Sequence, residues 1–314
     1  MRDVTAETAR LQTEEAIDLA HAWVHILASS LGVRALFVKG PALYRRGLRK
    51  KRTSSDVDVL VAPEDFGRLC SALEEAGWGE RDSGFVMRNV SHHSRAFVSP
   101  SWPCDIDVHT YFPGFLADPT LVFDTLWARR SSLRFAGQRC AVTDRVSSAL
   151  VLALHSLRST KKDARHSSEL TQLYSASFTP AEQKELGLIA AHTGSAEALE
   201  GVLSHLGVAA RLSDSPIDPS TLRAWRVRTE VSTGGLGAYV WLRAFRAAPL
   251  RMKPKVLMNA LWPSDHDFLV MRPDLPHDPK VMNAARRRRL VRGVATLPGV
   301  VAAIWRNKPT DARD

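Results

Sequence analysis

The chain is expected to fold as an α+β protein, with a mixed sheet and flanking helices in its first part and a mostly helical second part. Three patterns carry that expectation. Short apolar runs of strand length, some alternating apolar with polar residues, occur before residue 110. Gly, Pro and polar turn residues punctuate them. From about residue 143 apolar residues recur three and four apart instead, as on helices that bury one stripe. The expected division is therefore residues 1–142 and residues 143–314.

The elements follow in order. Ala16, Leu19, Ala20, Trp23, Val24, Leu27 and Leu31 share one face of a helix over residues 14–31, and Gly32 is placed to end it. Val33 to Val38 is a short apolar run of strand length. Lys39-Gly40-Pro41 interrupts it, and Pro41 suits the first turn of a short helix reaching Tyr44. Arg45 to Arg52 forms a strongly basic loop. Val57 to Val61 is a second strand, and Pro63 to Ala76 a helix with Phe66, Leu69, Cys70 and Leu73 on one face. Phe85 to Met87, Ala96 to Val98 and Asp105 to His109 are further short strands.

Val146, Ala149, Leu150, Ala153, Leu154 and Leu157 open the helical part as one stripe. Residues 170–174, 181–192 and 196–206 continue it. Ser213 to Pro219 is a turn or linker, after which helices resume over 222–231 and 236–247. Pro263 to Pro279 is Pro- and Asp-rich and expected to be irregular, and a basic helix runs from Lys280 to Val294.

Composition narrows the functional classes. A chain of 314 residues can bury a substantial core. Cys70, Cys104 and Cys140 lack the spacing of a disulfide framework or a zinc site. No apolar run approaches membrane-span length, and the first residues lack an apolar signal core, so a cytoplasmic location is the expectation. A net charge of +10 favours anionic partners such as nucleotides, nucleic acid or phosphorylated substrates.

The chemistry is concentrated in Ser55-Asp56-Val57-Asp58-Val59-Leu60-Val61. On a strand Asp56 and Asp58 point to the same face while Val57 and Val59 point to the other. Two carboxylates so placed repel unless a cation sits between them. Hard oxygen ligands of this kind suit Mg²⁺, which commonly combines one or two carboxylates with substrate phosphates. A second such strand follows in Asp105-Ile106-Asp107-Val108-His109. The competing reading is an acidic pair on the wet face of an edge strand; the apolar Val57 to Val61 run and the second Asp-x-Asp oppose it.

Phe37-Val38-Lys39-Gly40, then Ser54 to Val61, then Asp105 to His109 together resemble the nucleotidyltransferase superfamily with the DNA polymerase β-type fold. More narrowly they resemble a bacterial family of uncharacterised nucleotidyltransferases, which carries Leu-Lys-Gly, Ser-Asp-x-Asp and Asp-Leu-His segments. The resemblance covers the first half of the chain well and the second half loosely. It implies transfer of a nucleoside monophosphate from an NTP, with Mg²⁺ or Mn²⁺ as the cofactor. Asp56, Asp58 and Asp107 are then the catalytic metal ligands, Asp107 being preferred to Asp105 because Val108-His109 follows it. Lys39, Gly40, Arg52 and Ser55 become candidate nucleotide or phosphate contacts. His109 becomes a candidate for orienting the acceptor or carrying a proton, with a purely structural role as the alternative. Pro41 departs from the superfamily, because it has no N–H to offer a phosphate where a Gly-Ser or Gly-Gly pair usually stands.

ATP is the expected donor. The acceptor is expected to be a hydroxyl or phosphate on a small molecule, peptide or protein, with peptide natural-product tailoring as one setting. A catalytically degenerate nucleotide-binding or toxin-antitoxin-type scaffold is the second reading, and an RNA-directed enzyme the third. Nucleic acid is the less favoured partner, because no RNA-binding signature accompanies Arg286 to Arg289 and Arg292. His92-His93 is not expected to bind one ion, because adjacent strand residues face opposite ways; Asp265-His266-Asp267 is expected to be a surface feature, and His155 a packed histidine.

Overall fold

A computed structural model describes residues 11–83, 85, 93–157, 164–209, 211–231 and 236–307. The protein is α+β, with a seven-stranded mixed sheet in the N-terminal part and helices after it. The strands are β1 (Ala35–Val38), β2 (Asp56–Val61), β3 (Gly79–Glu80), β4 (Ser94–Val98), β5 (Asp105–His109), β6 (Ser131–Phe135) and β7 (Gln138–Val142). Their spatial order is β3-β4-β5-β2-β1-β7-β6. β2 runs parallel to β5 and antiparallel to β1, so the two Asp-x-Asp strands are neighbours at the centre of the sheet.

Alternation sorts each central strand onto two cores. Val57, Val59, Val61, Ile106, Val108 and Phe37 face helices α1 (Thr13–Ser30) and α3 (Phe66–Glu75) in one core. Leu36, Val38 and Leu60 face the other way. They share the second core with α4 (Pro119–Ala128), α5 (Arg145–Leu157) and α7 (Pro180–His192). The face carrying Asp56, Asp58, Asp107 and His109 is thus the face on which the later helices pack.

The remaining helices are α2 (Gly40–Arg45), α6 (Ala164–Tyr174), α8 (Glu200–His205), α9 (Pro219–Val231), α10 (Leu236–Ala247), α11 (Lys253–Leu261), α12 (Asp265–Met271) and α13 (Pro279–Arg306). No helix among the described residues is long and apolar enough to cross a membrane.

Several expectations change. Residues 110–142 hold α4 and the β6–β7 hairpin, for which the sequence suggested no element. The α4 start signal was present: the Asp118 carboxylate accepts from the Thr120 and Leu121 N–H groups, and Pro119 takes the first turn. The hairpin strands are polar and partly exposed, so their pattern is weak. Phe85 has helical rather than strand conformation, residues 86–87 lie outside the described set, and β3 supplies the strand instead. The Pro263–Pro279 segment contains α12, because the Ser264 hydroxyl caps it by accepting from the Asp267 N–H at 3.1 Å. The final basic helix extends to Arg306, with Pro298 inside it.

Gly194 pins the second core to the loop before α4. It has φ +68, and a Cβ placed on it would lie 2.6 Å from the Ala117 backbone nitrogen. Both the backbone conformation and the approach exclude a side chain. Gly194→Ala is expected to cost about 3 kcal/mol, from strain plus overpacking. Urea melts of the variant check this, and an unchanged midpoint would show that the loop yields freely.

Candidate active site

Parallel pairing sets the site. Asp56 lies opposite Asp105, Asp58 opposite Asp107 and Leu60 opposite His109. The donor atoms of Asp58, Asp107 and His109 all lie within 4.8 Å of one another. Asp56 stands on the same strand face, two residues before Asp58, and outside that set. Asp105 is taken up by an ion pair with Arg81.

Asp58 is the most buried of these carboxylates. Its Oδ1 receives the Lys39 ammonium at 2.6 Å and the His109 Nε2 at 2.9 Å. Burial alone would raise its carboxyl, but Lys39 and His109 outweigh that and hold it well below the usual carboxylate range. Asp107 goes the other way: burial, reinforced by the Asp58 charge, pushes it up to about 6. Asp56 is also raised, by burial and then by Asp58. Asp58 therefore differs sharply in proton affinity from Asp56 and Asp107, a pattern common at catalytic centres.

An ionised carboxylate only accepts, so the His109 N–H toward Asp58 must be on Nε2. In the neutral ring Nδ1 then carries a bare lone pair, and this atom is buried without a hydrogen-bond partner. An orphaned acceptor beside two carboxylates fits a cation.

The Lys39–Gly40 turn delivers the ammonium. Lys39 has φ 60 and ψ −144, an uncommon conformation for a residue with a side chain. Gly40 follows at φ 53, which glycine adopts without penalty. The Asp58 ion pair and the Phe112 ring, 5.6 Å from Lys39 Nζ, hold the lysine there. From outside the turn, Arg49 Nη2 donates to the Gly40 carbonyl at 2.9 Å and its Nη1 to Glu169 at 3.1 Å.

Arg52 reaches the same Glu169 oxygen at 2.8 Å, so its guanidinium is bound to protein. Ser55 meets the neighbouring strand through its carbonyl, which accepts from the Asp105 N–H at 3.1 Å. Arg49, Glu169 and Phe112 escaped the sequence reading. Arg49 is one of several basic residues in its loop, and Glu169 sits in a polar helix that offers no local signal.

Other candidates fall elsewhere. His92 lies outside the described residues, and His93 is buried against the Tyr111 ring. Asp265 pairs with Arg286, His266 with Asp82, and Asp267 with Ser264. Arg286 is buried, and Arg289 donates to the Ala260 carbonyl at 2.6 Å, so the Arg286–Arg289 block is not a uniformly solvated face. Cys104 is buried, and burial pushes its thiol up to about 11.

A family model described as uncharacterised nucleotidyltransferase matches residues 3–207, well over half of the chain. The chain belongs to this family. Residues Lys39, Asp58, Asp107 and His109, and the helices through α8, all lie within the matched segment. Among curated proteins no significant match is found for this nucleotidyltransferase-family chain. Among solved structures it is similar to an antigenic nucleotidyltransferase-like protein from Paracoccidioides brasiliensis, at 15% identity and a TM-score of 0.41, over 65% of this chain and 98% of that one.

Proposed function

We propose that the protein is a divalent-metal-dependent nucleotidyltransferase that moves NMP, with ATP as the donor, to a hydroxyl or phosphate of a small molecule, peptide or protein. One observation carries this reading: two parallel strands in register bring Asp58, Asp107 and His109 within 4.8 Å of one another. Asp56, Asp58 and Asp107 would hold the metal, with His109 beside them. The carboxylates suit Mg²⁺, and the imidazole admits Mn²⁺ equally. Bound there, the ion supplies charge neutralisation on the phosphates and lowers the pKa of an acceptor hydroxyl.

The chain's own residues supply the rest. Lys39 can exchange its Asp58 contact for a phosphate oxygen, because its flexible stem ends in a point charge. Gly40 leaves the backbone open to a close approach, and Arg52 and Ser55 flank the same loop. Asp107, held near pH 6, is suited to take a proton from the acceptor. We place the catalytic elements in residues 1–142 and the helical part in residues 143–314.

A nucleotide-binding scaffold without turnover is the second reading. The Lys39 ammonium favours it, because it already neutralises the carboxylate a metal would need. Calorimetric titration of each of the four NTPs, with and without Mg²⁺, separates the readings when followed by a pyrophosphate-release assay. Metal-dependent binding with pyrophosphate release supports the enzyme. Binding that ignores the metal and yields no pyrophosphate supports the scaffold.

A further inference from the structure

A second cluster lies outside the carboxylate centre. His155 on α5 and His166 and Glu169 on α6 place one donor atom each within 4.8 Å of the others. His166 and Glu169 are three apart, so they share one face of α6. The two imidazoles meet nearly edge to face, at 83° with centroids 4.6 Å apart, and their Nε2 atoms are 3.0 Å apart.

This contact is a hydrogen bond while one Nε2 carries a proton, and with both nitrogens bare it is close to the spacing of two ligands on a shared ion. Two nitrogens bound tetrahedrally to Zn²⁺ at about 2.0–2.1 Å stand roughly 3.3 Å apart. A small ring rotation closes the difference. Glu169 adds an independent sign. Its Oε1 receives both Arg49 and Arg52, whereas Oε2 is buried without a hydrogen-bond partner. The residue is only 4% exposed. An idle buried carboxylate oxygen is costly unless a cation or donor meets it.

We propose that His155, His166 and Glu169 form a second metal site, for a late first-row divalent ion of the Zn²⁺ type. Two imidazoles and one carboxylate are three ligands that leave a fourth position for water. Mg²⁺ is disfavoured, because it prefers all-oxygen surroundings. Arg49 and Arg52 lie beside the ion, so the affinity falls below that of an uncharged His₂Glu setting. The same two arginines give the site its consequence. Through Glu169 the ion would brace the loop whose Arg49 holds the Gly40 carbonyl.

The test uses the full-length protein freed of metal by chelation and titrated with Co²⁺, then Zn²⁺. Wild type is expected to show the visible d–d absorption of four-coordinate Co²⁺, displaced by Zn²⁺. The band should persist in Asp107→Asn and vanish in His155→Ala/His166→Ala. A band that survives in the double variant, vanishes in Asp107→Asn, or never appears in wild type overturns the proposal. Should the double variant misfold by circular dichroism, Glu169→Gln decides. It keeps an acceptor for the arginines and should weaken Zn²⁺ binding about 10-fold or more; unchanged affinity overturns the site.

Discussion

Asp107→Asn should abolish metal-dependent NTP binding and, without metal, should stabilise the fold near neutral pH. The first effect follows from removing one of the carboxylates the proposed metal requires. The second follows from proton linkage. Burial and then the Asp58 charge push the Asp107 carboxyl up to about 6 in the fold, from an ordinary value of 3.8. A group with a raised folded pKa contributes stability fully present below its unfolded pKa and lost as pH rises through the folded one. Wild type therefore loses stability from about pH 4 to pH 6, by about 2 kcal/mol after allowance for partial exposure. Asparagine stays neutral and escapes that loss. Urea melts of both proteins in chelator, between pH 4 and pH 8, measure the difference directly. A variant no more stable than wild type at pH 8 would mean that Asp107 ionises without penalty beside Asp58.

Asp58→Ala should also lose function, but with the opposite effect on stability: the fold is weakened. Judged only by the repulsion of two like charges on one strand face, this substitution would be harmless to the fold. The structure reverses that expectation. Asp58 is the partner of Lys39 and His109, and its ionised form is the favoured one. Removing it leaves an ammonium only 14% exposed without its carboxylate. Breaking a buried pair from one side costs about 3–5 kcal/mol. Lys39→Met/Asp58→Leu, which removes both charges, should recover much of that loss. Thermal melts of the two variants distinguish the cases. Asp58→Ala melting with wild type would show that the lysine finds water or another partner without cost.

The contrast between these aspartates marks how far the sequence could be followed. Alternation alone placed Asp56 and Asp58 on one strand face, because valines at 57, 59 and 61 had to be buried on the other. The α1 and α5 helices were legible for the same reason: each carries an apolar stripe long enough to recur. The β6–β7 hairpin was not legible, since short polar strands carry little periodicity. Nor was the fate of Lys39. Its role depends on a left-handed backbone turn and on a carboxylate 19 positions later, and local pattern encodes neither. Arg49 and Glu169 meet across 120 positions, a contact only the packed helices create.

Register makes the site intolerant of slippage. Asp58 faces Asp107 because β2 and β5 pair in step. Sliding β5 by one residue would bring Ile106 alongside Asp58 and drive Asp107 into the valine layer. Sliding it by two would restore the facing but displace the carboxylate by about 6.6 Å, beyond the reach of a shared ion. Insertions and deletions can therefore accumulate in the connecting loops, whereas a single added or lost residue within Asp105–His109 has no functional neighbour to drift toward.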